Sequence, residues 1–547
     1  MNIKLEADKI AIALFISLLL YIGPGAIFNH ELSHEYPYGY MASDAFQHQV
    51  RAEAIKDAGN FRYEAEYISK GFEKVVGRYP PVIYHLSVML SYASGLEIYD
   101  SLYLIAVLSS ILGVLVIYLI ISDFNRNVAI ISLPLTLLLF AYPITISFTW
   151  GHWPSLLSQA FLLAFFWAVM RIDLHKSYIL LAVFLAAIVM THTSEVVFAG
   201  GFLILFFFFR LIGKKPLKSP LVSVGTAFIL AFILSSYYII IFKNTLAKVE
   251  TYRFAIEPVW DGNPGFYIMG FGILLLFMVA GLIFSLFKFR EMHVSLILAI
   301  GMLAGGLLNY IGFGLRSFQV RFFWPIYLSI FFGFGIYMIL KLLIKKWNIV
   351  FSIALLLIFT IIILIPKQIS WLPNSGVTPN DGVMDPYHWN MLKWISENTE
   401  KNSKVYFFFG EIYSQDALLR NTKRIHYQVD PEDFINSAKE RKIKRTYISE
   451  IPGDSGGGFG VWTGPFSMKD MSEEVPYSYF VGPQDICSFD YLVFDKPSSQ
   501  NEIKVYNLLI LNEMIKKNSV RKVFENEVSI VVKNNNPGAD CIEQTSF

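Results

Sequence analysis

From Ile10 to Pro366 the sequence runs in long apolar stretches separated by short polar ones, and beyond Pro366 it changes to the pattern of a water-facing chain. A helix needs about 20 apolar residues to cross the hydrocarbon of a bilayer. Stretches that meet or approach that length are 10–28, 101–122, 128–148, 153–170, 178–193, 196–212, 217–242, 265–287, 293–313, 322–340 and 348–366, eleven in all. A twelfth, Val82 to Leu96, has only 15 residues, carries His85, Ser87, Ser91 and Ser94, and follows Pro80-Pro81. Past Pro366 the spacing predicts a helix over 386–399, a strand over Lys404–Phe409 and a helix over 431–441. A strand over Tyr491–Phe494, a helix over 502–517 and a last strand over Val528–Val532 follow. Alternation of this kind builds a small α/β layer structure. The expected fold class is therefore mostly α, a polytopic transmembrane helix bundle with a C-terminal α/β domain.

Charge orients the bundle, because Lys and Arg accumulate in short cytoplasmic loops. The strongest positive loops are Arg210–Lys218, Lys288–Arg290 and Lys341–Lys346, with Arg171–Lys176 and Arg126 weaker. With these inside, alternation puts 142–152, 191–196, 243–264, 314–321 and everything after Pro366 outside. Lys4 and Lys9 place the start inside as well. An inside start and an outside end require an odd number of crossings, so eleven helices cross and 82–96 lies in the outer interface as an amphipathic helix. The run 10–28 is long and no clear small-residue cleavage site follows it, which reads as an uncleaved anchor. The chain then divides into 1–28, a cytoplasmic N-terminus and first membrane helix; 29–100, an outer loop with juxtamembrane helices; 101–366, the bundle; and 367–547, an extracytoplasmic α/β domain. It is expected in the cell membrane.

Composition agrees. Of 547 residues 54% are hydrophobic and 16% charged, against roughly 25% charged in an ordinary soluble protein. A net charge of +2 is too balanced for a protein that binds nucleic acid by neutralising phosphates. The two cysteines, Cys487 and Cys541, both fall in the outer domain. An oxidising compartment makes a disulfide the reading there, with two free buried thiols as the alternative.

Ionisable groups inside or at the mouth of a bundle are costly and usually functional. In this topology Asp44, His48, His152, His192, Glu195, Glu257, Asp261, Arg316 and Arg321 all sit at the outer mouth. M-A-S-D-A-F-Q-H places Asp44 and His48 four apart, on one face of a helix. The further segments R-Y-P-P-V-I-Y-H at 78–85, W-G-H-W-P at 150–154, T-H-T-S-E at 191–195, Arg321 ahead of Trp324-Pro325, and L-K-W-I-S-E-N-T at 392–399 complete a pattern. Together they resemble the GT-C superfamily of polyprenyl-phosphate-dependent membrane glycosyltransferases, in a prokaryotic or archaeal-looking form.

The resemblance implies an inverting transfer of one hexosyl or pentosyl unit from a polyprenyl-phosphate donor to a hydroxyl of a glycan, lipid or protein acceptor. It implies Asp44 as general base, with His48 and Glu195 beside it in the catalytic group. Arg78, Arg316, Arg321, His152 and His192 then hold the donor phosphate, since a guanidinium donates in pairs to phosphate oxygens. Arginines flanking a membrane serve equally well as interfacial anchors, and histidines as helix caps. The outer domain has no W-W-D-x-G signature; Val259-Trp260-Asp261-Gly262 echoes it only in part and in another loop, which favours a single-sugar donor.

Two other classes compete. His30-Glu31-Leu32-Ser33-His34 matches the H-E-x-x-H zinc motif of an intramembrane metalloprotease. That motif needs a continuous helix through both histidines, and Pro24 and Pro37 flank it closely. The pair is a candidate for a divalent metal, with Asp261 as a third ligand in the protease reading, and metal binding is also an alternative role for His48, His152, His192 and Glu195; no cofactor is certain. A transporter or flippase of a lipid-linked sugar predicts repeated halves and interrupted helices, which the sequence does not display.

Overall fold

The computed structural model describes residues 7–59, 80–142, 144–174, 176–192, 194–246, 270–287, 293–307, 322–344, 347–365, 382–408, 416–428, 445–446, 484–496 and 504–542. The chain opens with α1 (Ala7–Phe28), α2 (Ser43–Ala58), α3 (Val82–Ser94) and α4 (Ile98–Phe124). Next come α5 (Arg126–Ser132), which tightens into a buried 3-10 segment Leu133–Phe140, then α6 (Trp153–Val169), α7 (Ser177–Val189), α8 (Glu195–Ile212) and α9 (Lys218–Leu246). The bundle closes with α10 (Leu274–Phe287), α11 (Val294–Gly306), α12 (Trp324–Leu343) and α13 (Ile349–Leu364). Five of these contain segments long and apolar enough to cross a membrane: Ala7–Gly25, Ile98–Phe124, Glu195–Ile212, Lys218–Tyr238 and Trp324–Leu343. Seven more helices, Val82–Ser94 among them, are apolar but shorter. Each of the eleven predicted stretches falls on one of these elements.

Local chemistry explains the ends of α3. Pro80-Pro81 precedes it, where a missing N–H costs nothing, and Gly95 closes it at φ 77°, a left-handed cap that favours glycine. The side of α3 bearing Ile83, Tyr84, Ser87, Val88 and Ser91 is buried, whereas Met89 and Tyr92 are exposed.

Among the described residues three arginine–aspartate pairs mark one end of the bundle. Arg126 meets Asp8 at 3.6 Å, Arg171 meets Asp123 at 2.9 Å, and Arg210 meets Asp173 at 2.9 Å. Such partly exposed pairs contribute about 0–1 kcal/mol each, so they register helix ends rather than hold the bundle. Packing does that. Helices α10 and α12 run backbone against backbone at Gly281 and Gly335, and α12 meets α5 in the same way at Gly333, where an added Cβ would lie 2.1 Å from the Ser132 hydroxyl.

The C-terminal domain starts with α14 (Pro386–Asn398), capped by Asp385, whose carboxylate accepts from the amides of Tyr387 and His388. Its sheet holds β1 (Lys404–Phe407), β2 (Ile425–Gln428), β3 (Tyr491–Asp495), β4 (Val520–Glu525) and β5 (Ser529–Asn534), and α15 (Lys504–Lys516) precedes β4. The order is β2-β1-β3-β5-β4, with β1 parallel to β2 and β3, and β5 antiparallel to β3 and β4. The central strand β3 is buried along its whole length. Cys487 and Cys541 are joined, with their Cα atoms 5.3 Å apart. The predicted helix over 431–441 lies outside the described residues. Strands β2 and β4 were not predicted: β2 is four residues at a sheet edge, and β4 carries Arg521 and Lys522 and an irregularity before Phe524, so neither shows clean alternation.

Candidate active site

The site is built at the end of the bundle opposite the three arginine–aspartate pairs. There the loop 149–152 lies on the start of α2. The Met41 amide donates to the Thr149 carbonyl at 2.8 Å, and Gly151, at φ +83°, approaches so closely that a Cβ would sit 2.4 Å from the Ala45 nitrogen and 2.8 Å from the Asp44 carbonyl carbon. Only glycine fits. This contact fixes the first turn of α2, from which the exposed Asp44 projects.

One turn on, His48 is 2% exposed. Its Nδ1 lies 2.8 Å from the Tyr84 hydroxyl of α3, and its ring bonds the Gly151 backbone. Burial pushes this imidazole well below the ordinary histidine range, and the charges of Arg51, His152 and His192 push the same way. His48 thus tethers α2 to α3 and to the 149–152 loop. Trp153, fully buried, sets its indole against Tyr40 (5.0 Å, tilted) and Tyr103 (5.2 Å, edge-on).

Glu195 is fully buried in the first turn of α8. One carboxylate oxygen lies 2.5 Å from His192 Nδ1; the other accepts from the Ser155 hydroxyl at 2.8 Å and from the Gln159 amide at 3.2 Å. Tyr327 of α12 in turn donates to Gln159 Oε1 at 2.5 Å. Four polar groups from α6, α8 and α12 therefore hold the His192 ring through one carboxylate, while the ring itself is 13% exposed toward the mouth.

The segment after α1 is pinned to the top of α4. His34 Nδ1 is 2.7 Å from Asp100 Oδ1, the His34 amide donates to Oδ2 at 2.9 Å, and the Tyr99 hydroxyl donates to the His34 carbonyl at 2.7 Å. The zinc motif does not form its helix: α1 ends at Phe28, and Asn29 and His30 take left-handed backbone angles of φ 49° and 65°. His30 lies against Tyr21 and His34 stacks on Tyr38, so the two histidines serve separate contacts. Among the described residues no three His, Cys, Asp or Glu side chains converge to hold a metal. Arg78, Arg316, Arg321, Glu257 and Asp261 lie outside the described residues.

No family model and no curated protein matches the sequence. Solved structures do match in shape. The apo oligosaccharyltransferase of Archaeoglobus fulgidus aligns with a TM-score of 0.56 at 11% identity, over 90% of this chain and 70% of that one. ArnT from Cupriavidus metallidurans aligns at 0.54 and 13% identity in the apo state, over 96% and 98% of the two chains. The same protein bound to undecaprenyl phosphate aligns at 0.52 and 12%, over 95% and 97%. The chain has a GT-C-like fold. Within that fold Asp44, His152, His192 and Glu195 gather at one mouth, Asp44 and His152 through the Gly151 contact and His192 and Glu195 through a hydrogen bond.

Several residues of this GT-C-like chain escape a linear reading. Tyr84 lies inside the 78–85 motif and Gln159 is a lone amide in an apolar helix, signals that mark polarity without naming a partner. In the C-terminal domain, His388 is clamped between Asp385 at 2.5 Å and Asp495 at 3.2 Å. Burial disfavours the charged ring, yet the two carboxylates outweigh it and push the imidazole up to about 9. A histidine raised in the fold stabilises fully below its unfolded value near 6.5 and loses that contribution as pH rises through about 9. Wild type should therefore exceed a His388→Gln variant by on the order of 2–3 kcal/mol at pH 6, the gap closing by pH 10. Denaturant titrations of both proteins across that range check this; a gap constant with pH would refute the charged clamp.

Proposed function

We propose that this chain is an integral-membrane, inverting glycosyltransferase that moves a single sugar from a polyprenyl-phosphate donor to an acceptor hydroxyl on the outer face of the membrane. The observation that carries the reading is the exposed Asp44 carboxylate, set on a helix turn against which the loop bearing His152 packs, at one end of a GT-C-like bundle. Support comes also from the ArnT structure, a fold neighbour whose bound molecule is undecaprenyl phosphate.

In this mechanism Asp44 takes the proton of the acceptor hydroxyl. The acceptor oxygen attacks the anomeric carbon from the face opposite the phosphate, the sugar–phosphate bond breaks, and its electron pair leaves on the phosphate. His152 and His192, with Arg78, Arg316 and Arg321, donate to the phosphate oxygens and balance the departing charge. Glu195 and His48 act through others: Glu195 orients His192, and His48 holds the turn that carries Asp44. The arginine–aspartate end of the bundle is the cytoplasmic one, with the N-terminus there and the C-terminal domain outside.

The test is transfer in sealed vesicles whose outer domain faces the medium, supplied with polyprenyl-phosphate sugars and a panel of glycan, lipid and peptide hydroxyl acceptors. The expected result is transfer from donor in the outer leaflet, giving product of inverted anomeric configuration by NMR. A retained configuration, or transfer only when the cytoplasmic leaflet is loaded, would overturn the mechanism or the orientation respectively.

A further inference from the structure

The C-terminal domain touches the segment bearing Asp44 on both sides of that residue. Four residues before it, the Tyr40 carbonyl accepts from the Val383 amide at 2.8 Å. Gly382, at φ +85°, lies so close to that backbone that a Cβ would stand 2.7 Å from both the nitrogen and the oxygen of Tyr40. Five residues after it, Gln49, fully buried, donates its amide to Asn421 Oδ1 at 2.7 Å and to Glu53 Oε1 at 2.6 Å. Asn421 is itself 5% exposed and donates to the Leu418 carbonyl at 2.9 Å. Farther along α2, Asp57 pairs with Lys423.

These contacts are arranged for register. Gln49 Oε1 is buried with no partner among the described residues, so the amide is not placed for the most stable bonding; its two donated bonds fix the turn of α2 between Glu53 and the outer domain. A buried donor or acceptor tolerates no partner at another position. Most of a protein helix's stability comes from tertiary packing rather than from its own propensity, and a misplacement of about 1 Å at a reacting group costs on the order of 100-fold in rate.

We infer that Gly382 and Asn421 are positioning residues of the transfer reaction: the outer domain clamps α2 at Tyr40 and Gln49 and thereby sets where the Asp44 carboxylate stands. The clamp itself is independent of chemistry, while its catalytic consequence rests on the reading of Asp44 as base.

Full-length wild type, Asn421→Leu, Gly382→Ala and the double variant Gln49→Leu/Asn421→Leu, each in nanodiscs, are compared by amide hydrogen exchange over 41–58 and by kcat and donor KM. Asn421→Leu and Gly382→Ala act at opposite ends of the clamp, so failure of one to fold leaves the other to decide. Each is expected to speed exchange over 41–58 at least tenfold and to lower kcat at least tenfold with donor KM within twofold. The double variant, with matched apolar groups in place of the amide pair, is expected to regain wild-type thermal stability and keep the low kcat. Exchange within twofold of wild type in the folded single variants would overturn the clamp. Recovery of kcat in the double variant would overturn positioning and leave packing alone. If the wild type transfers no sugar to any acceptor, the exchange measurement still decides the clamp, and the proposed function fails separately.

Discussion

Asp44→Asn should lower turnover by roughly 100- to 10,000-fold, the range general-base catalysis supplies, while donor binding survives. Asn preserves shape and the capacity to hydrogen-bond but removes the proton acceptor. If Asp44 merely favoured the start of α2, where it occupies the first turn, its charge would be worth about 0.3–1 kcal/mol through the helix dipole, and Asn would cost that much stability with little change in rate. The two readings separate cleanly when Asp44→Asn and Asp44→Ala are compared for turnover, donor affinity and melting temperature in one preparation. Asn turnover within about threefold of wild type, far below the range expected for a base, would remove Asp44 from the mechanism. Glu257 and Asp261 would then be the carboxylates to test ahead of Glu195, which is fully buried.

The largest stability effect is expected at the contact of α10 and α12. A Cβ on Gly335 would stand 2.0 Å from the Phe277 carbonyl oxygen, and one on Gly281 would stand 1.9 Å from that of Phe331. Both obstacles are backbone, so no rotamer change relieves them and the helices must separate along their length. Membrane helices use small residues for such approaches because packing, not the hydrophobic effect, joins them in lipid. Overpacking in a core typically costs about 1–3 kcal/mol, and with rigid neighbours Gly335→Ala or Gly281→Ala should reach about 3 kcal/mol or more. Gly200→Ala and Gly225→Ala, where nothing lies within 4 Å of the added carbon, are the controls and should be neutral or slightly stabilising. Thermal unfolding in one detergent measures all four. Equal melting temperatures for Gly335→Ala and Gly200→Ala would refute the close contact.

The bundle is legible in the sequence because apolarity marks each helix without reference to any other, although among the described residues only five are also long enough to cross a membrane. The same holds for α14, whose Asp385-Pro386 start is a local signal, and for the buried β3. What is not legible is pairing. Glu195 stands out as an acid at a helix start, but nothing in the chain says that Gln159 and Tyr327, 168 positions apart, meet to support it. Gln49 and Asn421 are separated by 372 positions and look like ordinary surface amides. His388 reads as one polar residue in an amphipathic helix until Asp495 arrives from 107 residues away. The zinc motif shows the opposite failure: five residues spell a metal site, but the helix it needs stops two residues short, and Asp100 uses His34 to anchor a loop.

The three arginine–aspartate pairs share an order. In each the carboxylate precedes its arginine in the chain: Asp8 precedes Arg126, Asp123 precedes Arg171 by 48 positions, and Asp173 precedes Arg210 by 37. A ribosome makes every acid of the set before the base it will meet. During synthesis each arginine therefore emerges after its acceptor, so these contacts can close only in the order of translation, at Arg126 first and at Arg210 last.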